Sequence, residues 1–413
     1  MPDHSSIVQN PFQQYRRFVA ALFLTGIISG SLSALFLVSL DHVTKWHGTH
    51  PWLLLCLPLA GLVIALIYQR GGQLAGRGSP LLVEEMRDCK GTVPLRMAPM
   101  VLVTTLLTHL CGGSAGREGT AVQMGGAVSA WLGRIFLLTP QKQRMLLMAG
   151  MAGGFGSVFG TPWAGGIFAV ELPVRGRWQI GMLLPCWISA WVGHGICHAW
   201  GIVHMNYRVL GLTRDGLWGL SWTTLGMTVL AALAFGICGR CFVWLSHRAP
   251  LAFARWCPNA LLRPFFGGFL VIVMVYVLGH ADYLGLGVDS QRAGGVSILS
   301  SFATGGVDSW SWFWKMLFTV ITLSSGFKGG EVTPLFFIGA ALGHVMGMVT
   351  GQPVALFAGL GMIAVFAAAA NTPLTCAVLG MELFGPHYSI LFAIACLCSY
   401  GVGGREGIYH PQN

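Results

Sequence analysis

The chain predicts an all-α polytopic membrane protein, built from tilted and broken helices in two related halves. Three observations carry this reading. Of its 413 residues, 54% are hydrophobic and only 9% charged, against about 25% charged in soluble domains. A hydrocarbon core about 30 Å thick takes about 20 apolar residues per straight helix. Many apolar runs here are shorter, or are cut by some of the 58 Gly and 19 Pro, as expected of interrupted helices around an interior path. Finally, marks recur at near-constant spacing. Pro162 is followed by Glu171-Leu172, and Pro373 by Glu382-Leu383, 211 residues further on. Thr120 with Gly125 is echoed 214 residues later by Pro334 with Gly339. Ala149-Gly150-Met151 is echoed by Ala358-Gly359-Leu360, and Gly76-Arg77-Gly78-Ser79 more loosely by Gly285-Leu286-Gly287-Val288. Repeated bundles with matching interruptions place a transport site where they meet.

In chain order, a polar stretch from Met1 to Gln14, within an N-terminal segment 1–16, precedes Arg16-Arg17 and a first span from Phe18 to about Leu40. They read as a cytoplasmic N-terminal segment and a retained, uncleaved helix. A first membrane repeat, 17–215, continues with apolar segments at 52–68, 98–110, 121–137, 145–159, 163–172 and 179–200. A second, 216–413, has them at 220–246, 264–280, 311–324, 334–349, 354–370, 374–384 and 388–402. No long polar stretch supplies a soluble domain, and no cytoplasmic regulatory domain is expected.

The net charge of +10 comes from Lys and Arg in loops, which suits the positive-inside rule and anionic lipid. A basic field also favours anions near a pore mouth. These basic residues are too scattered for nucleic-acid binding. Cys238-Gly239-Arg240-Cys241 has the spacing of a metal or redox pair, but no second pair or His cluster accompanies it. It reads as structural, and no metal or cofactor is expected.

The chain is organised around Gly116-Arg117-Glu118-Gly119-Thr120, set between two apolar segments. Ionisable groups at that depth are costly and normally serve a pathway. Glycines there bare backbone amides, and the following helix points its positive end at the break, which makes an anion site. Glu118, ionised, can occupy that site; protonated, it yields to an anion, a physical basis for exchange. A side-by-side pair such as Arg117 and Glu118 is not expected to meet face to face. Gly404-Arg405-Glu406-Gly407 repeats the tetrapeptide without a helix after it and reads as a polar turn.

Three stretches together, Gly78-Ser79-Pro80, Gly116-Arg117-Glu118-Gly119 and Gly329-Gly330-Glu331-Val332-Thr333-Pro334, resemble the CLC family of chloride channels and proton-coupled anion antiporters. The likeness covers essentially residues 15–413. It implies a homodimer in the cell inner membrane, each subunit holding two inverted-topology halves and its own pathway. Thr120 in place of Pro, and Glu331 and Thr333 in the second half, resemble the fluoride/proton antiporter branch. So does Gly407-Ile408-Tyr409. Ser79-Pro80 is more similar to the chloride branch, which leaves chloride/proton exchange or passive anion conduction as the alternative.

The resemblance implies Glu118 as gate and proton carrier, with Glu331 as a second acid, because Leu172 stands where many chloride exchangers carry one. Ser79, Gly116, Arg117, Gly119, Thr120, Val332, Thr333 and Tyr409 are candidate anion contacts, and Phe302 a candidate ring offering its positive edge. Glu171 and Glu382 read as scaffold. An intramembrane Ser/His hydrolase is a different class of reading. No suitably spaced Ser–His pair supports it, so an enzyme is not expected.

Overall fold

The computed structural model describes residues 11–172, 180–204, 221–290 and 292–409. The expected junction of the two repeats, 215/216, and most of the N-terminal segment lie outside them. Among the described residues the chain forms fifteen α-helices and no strand longer than one bridge. The first eight are α1 (Pro11–Thr49), α2 (Leu57–Gly71), α3 (Ser79–Asp88), α4 (Met97–Leu110), α5 (Glu118–Ile135), α6 (Pro140–Phe159), α7 (Pro162–Glu171) and α8 (Leu183–Ala199). The other seven are α9 (Trp222–Trp256), α10 (Arg263–Leu278), α11 (Ser311–Ser325), α12 (Val332–Thr350), α13 (Val354–Ala370), α14 (Pro373–Phe384) and α15 (Ser389–Gly403).

Among the described residues, six helical stretches are long and apolar enough to cross a membrane, and four shorter apolar helices of 10–17 residues accompany them. The mixture of lengths is the broken-helix pattern expected. Every expected apolar segment contains a helix, though several helices stop one or two residues short of the expected ends. α1 runs beyond 18–40 at both ends, and α9 runs ten residues beyond 246. The sequence reading passed over α3, because its outer face carries Glu84, Arg87 and Asp88. Its inner face buries Leu81, Leu82, Val83 and Met86.

Helix starts and stops follow local chemistry. Pro stands in the first turn of α3, α6, α7, α10 and α14, where its missing N–H costs nothing. α4 stops at Cys111-Gly112, with Gly112 at φ +80°, and α11 stops at Gly326, φ +118°. After each stop the chain runs extended before the next helix begins, and these are the two central breaks.

The halves match in their packing. An added Cβ on Gly125 of α5 would stand 2.1 Å from the Gly150 carbonyl oxygen of α6; one on Gly339 of α12 would stand 2.2 Å from that of Gly361 on α13. The partner of Gly150 is therefore Gly361, not Gly359 as the sequence echo suggested. The offset is again 211 residues, as for Glu171 and Glu382.

Those two glutamates explain their own recurrence. Glu171, closing α7, accepts the N–H groups of Leu374 (3.1 Å) and Thr375 (2.8 Å) and the Thr375 hydroxyl (2.7 Å) at the start of α14. Glu382 of α14 accepts the N–H groups of Trp163 (3.1 Å) and Ala164 (2.8 Å) at the start of α7. Each carboxylate thus caps the helix of the other half, satisfying donors that helix starts leave open. Glu171→Ala strips three donors of a charged acceptor and is expected to cost about 3 kcal/mol. Glu382→Ala is expected to cost less, read as melting temperatures in detergent; equal or absent effects would remove the capping account.

Cys238 is buried, Cys241 is exposed and both are free. At the end of the chain, Glu406 stands out in solvent and meets His247 at 3.6 Å, which fits a polar turn.

Candidate functional site

The two breaks lie against each other. Gly116 N–H donates to the Gly330 carbonyl (2.6 Å), and Gly330 N–H donates to that of Gly116 (2.8 Å), a single antiparallel bridge. The first break is further tied to α11: the Ser114 hydroxyl lies 3.0 Å from that of Thr319, and Ser114 N–H donates to Thr322 Oγ1 at 3.3 Å. Contact this close requires glycine. An added Cβ on Gly330 would lie 2.7 Å from Gly119 N, and one on Gly116 would lie 2.8 Å from the Gly330 oxygen. α5 and α12 therefore begin side by side, both turning their N–H-rich ends toward one place.

The Glu118 carboxylate occupies that place, at 1% exposure. Oε2 accepts the N–H of Thr333 (3.1 Å) and of Arg117 (3.2 Å), and Oε1 accepts the Thr333 hydroxyl (2.5 Å). Glu118 belongs to α5 yet caps α12. Arg117 Nε stands 3.6 Å from Oε1. This corrects the expectation that the adjacent pair would not meet. Arg117 is the N-cap residue (φ −115°, ψ −24°), so its side chain folds back instead of following the helix. Arg117 Nε is buried and makes no hydrogen bond among the described residues.

Glu331, the N-cap residue of α12, makes no capping hydrogen bond of its own. It is half-buried, and its Oε2 lies 3.8 Å from where a Cβ on Gly119 would stand. Val332 is buried in the first turn of α12. Tyr409, 2% exposed, is held in place by the Ile408 N–H, which donates to the Ala369 carbonyl at the end of α13 (2.9 Å).

A small cavity opens beside Glu118, lined by Arg117, Phe159, Val288, Thr333, Phe336 and Leu383. The rings at this cavity are Phe159 and Phe336, with centroids 5.3 Å apart. Phe159, Phe155, Phe168 and Tyr409 continue as an aromatic row, at 4.7, 4.4 and 5.7 Å. Phe302, the ring proposed from sequence, does not line the cavity. It packs on Phe384 (5.8 Å).

Two further candidates turn elsewhere. The Thr120 hydroxyl is buried and engaged with that of Thr105 on α4 (2.8 Å). Ser79 Oγ accepts from Gln123 Nε2 (3.3 Å) and is not among the residues lining the cavity. Of the residues expected from sequence, Arg117, Glu118 and Thr333 line this cavity, and Glu331 does not. Sequence reasoning missed Phe159, Phe336, Val288 and Leu383, which look like ordinary apolar residues until the breaks are folded together.

Two halves closing on a buried carboxylate between helix N-termini, in a chain of membrane-length helices, define a membrane anion transporter. Comparison with known proteins agrees. The family model described as voltage gated chloride channel matches residues 60–404. A protein named chloride/fluoride channel protein, from Pseudomonas syringae pv. tomato, is 45% identical over 96% of this chain and 86% of its own length. The H(+)/Cl(-) exchange transporter ClcA of Vibrio cholerae is 26% identical over 89% of this chain and 82% of its own. Among solved structures, that of a CLC-type fluoride/proton antiporter has a TM-score of 0.90 at 31% identity, covering 97% of this chain and 98% of that one. A slow cyanobacterial Cl−/H+ antiporter has a TM-score of 0.78 at 21% identity, covering 95% of this chain and 96% of that one. The chain belongs to the voltage gated chloride channel family, the CLC family, and has its fold.

Proposed function

We propose that this protein is a fluoride/proton antiporter that exports fluoride while protons enter, with Glu118 as the moving gate and proton carrier. The observation that carries the reading is the seat of the Glu118 carboxylate on the Thr333 N–H and hydroxyl and the Arg117 N–H. Any small anion entering there competes with the carboxylate for the same donors, and protonation of Glu118 weakens its hold on them. Fluoride is small and strongly hydrated, so close hydroxyl and amide donors must replace its water. Thr333 with the first amides of α12, including that of Val332, answers that need, and Arg117, Gly116 and Gly119 shape the bared backbone. Tyr409 closes the site from the side of the aromatic row. Glu331 receives protons from the inner side and passes them to Glu118. Two copies per assembly, halves at 17–215 and 216–413, and a cytoplasmic N-terminus in the plasma membrane complete the proposal.

The second reading keeps the fold and makes the cargo chloride, with or without protons. Ser79-Pro80 and the exchange-transporter relatives favour it. Purified protein in vesicles separates the two. With fluoride inside, efflux is expected to drive proton uptake, and chloride under the same gradient to move at least about tenfold more slowly, a barrier difference of about 1.4 kcal/mol. Chloride moving as fast as fluoride would remove the fluoride reading, and fluoride moving without protons would remove the antiporter.

A further inference from the structure

A second cleft opens away from the anion cavity, where the ends of α3 and α5 meet the start of α6. Glu85, Gly91, Arg134, Gln143 and Arg144 are among the residues that line it. Glu85 is already engaged. Its carboxylate accepts the N–H groups of Gly91 (2.5 Å) and Thr92 (3.0 Å) and the Thr92 hydroxyl (2.7 Å), which ties down the chain after α3. Gln143 Nε2 donates to the Leu138 carbonyl at 2.8 Å. The guanidiniums have fewer partners. Arg134 Nη1 donates to the Gly91 carbonyl (3.2 Å), while Arg144 Nε is buried and makes no hydrogen bond among the described residues. No ion pair among those residues includes either arginine. Two cations thus line one cleft with a single, engaged carboxylate, and a buried guanidinium N–H without an acceptor is costly.

The cleft lies at one end of the helix bundle, beside the start of α1. Gln14 donates from Nε2 to the Leu137 carbonyl (3.0 Å) and accepts the Thr139 N–H (3.4 Å), both in the connection from α5 to α6. Arg16 and Arg17 follow Gln14 on α1, Lys142 stands on the first turn of α6, and Trp131 is exposed one turn before Arg134. Basic residues and an exposed indole at one level mark the headgroup region of a bilayer. We infer that this cleft binds a phosphate group between the Arg134 and Arg144 guanidiniums. A guanidinium presents paired N–H donors that match two phosphate oxygens, and it keeps its charge throughout. The cleft has room for about one water-sized group. One phosphate oxygen therefore enters beside Arg144 Nε, and the others stay at the mouth with Arg134. A phospholipid headgroup and free phosphate both offer this chemistry, and the level of the cleft favours the headgroup. The site is separate from the anion cavity and does not depend on which ion the protein carries.

The test titrates the full chain in detergent with dioleoyl phosphatidic acid, dioleoylglycerol and inorganic phosphate, and counts bound molecules by native mass spectrometry. Phosphatidic acid is expected to saturate one site per chain, and dioleoylglycerol, with the same tails and no phosphate, to bind far more weakly. Arg134→Gln and Arg144→Gln are each expected to weaken phosphatidic acid binding about tenfold or more. Lys142→Gln, on the same face but outside the cleft, is expected to leave it within about twofold, as for a screened surface charge. Inorganic phosphate bound as tightly, with the same dependence on both arginines, would support the site and make free phosphate its ligand. Unchanged binding in a folded arginine variant would overturn the inference. So would an equal loss in Lys142→Gln, which would mark a diffuse basic surface. Melting temperature and gel filtration report whether each variant folds. Should neither arginine variant fold, the native chain decides: phosphatidic acid that fails to saturate, or binds no better than dioleoylglycerol, with no phosphate bound, overturns the site, and saturation at one per chain supports it.

Discussion

Glu118→Gln is expected to abolish proton uptake while leaving anions able to cross. The amide is nearly the same size, so its oxygen still accepts the Thr333 and Arg117 N–H groups and its NH2 can face the Thr333 hydroxyl. What it loses is the proton, and with it the alternation between a form that holds the donors and a form that releases them. Proton flux should fall by about a hundredfold or more, the scale on which positioned acid–base groups act. The residual anion leak should no longer change with the proton gradient. Simultaneous fluoride-electrode and pH recordings on vesicles give both fluxes. Proton uptake at the native ratio in a folded variant would remove Glu118 from its assigned role.

The other large effect comes from Gly330→Ala, which touches no titratable group. Its Cβ would stand 2.7 Å from Gly119 N and 3.3 Å from Glu118 N, so the start of α5 must move away from the second break. Overpacking of this kind costs about 1–3 kcal/mol, and the protein should still fold with a lower melting temperature. Transport should suffer more, because the Gly116–Gly330 bridge sets the distance between the Glu118 carboxylate and Thr333. Misplacement by about 1 Å can cost a hundredfold. Gly359→Ala is the control: its Cβ would meet nothing nearer than Phe384 Cζ at 3.5 Å, and activity should stay near native. Equal activity of the two variants would mean that contact between the breaks does not set the rate.

Much of this arrangement was legible in the sequence, for identifiable reasons. Interrupted apolar segments, glycines at the breaks and acids recurring at one offset are local features, and each marked an element correctly. The pairing of Gly150 with Gly361 was misjudged, because a run rich in Ala and Gly offers several near-equal alignments and only the α12–α13 crossing selects one. α3 escaped notice because a short helix with one polar face carries little average hydropathy. Arg117 was placed wrongly with respect to Glu118 because neighbour geometry was taken from within a helix, whereas Arg117 stands just outside one. The cavity rings Phe159 and Phe336 come from different halves, so no window of sequence contains both.

The crossed caps of Glu171 and Glu382 bear on how such a chain is made. α14 begins 211 residues after α7, so during synthesis Glu171 enters the bilayer region long before its partner amides exist. Until they arrive, Glu171 lacks the three donors that seat it in the folded protein. Closure comes only when the second half is threaded, and it seals both helix starts in one event.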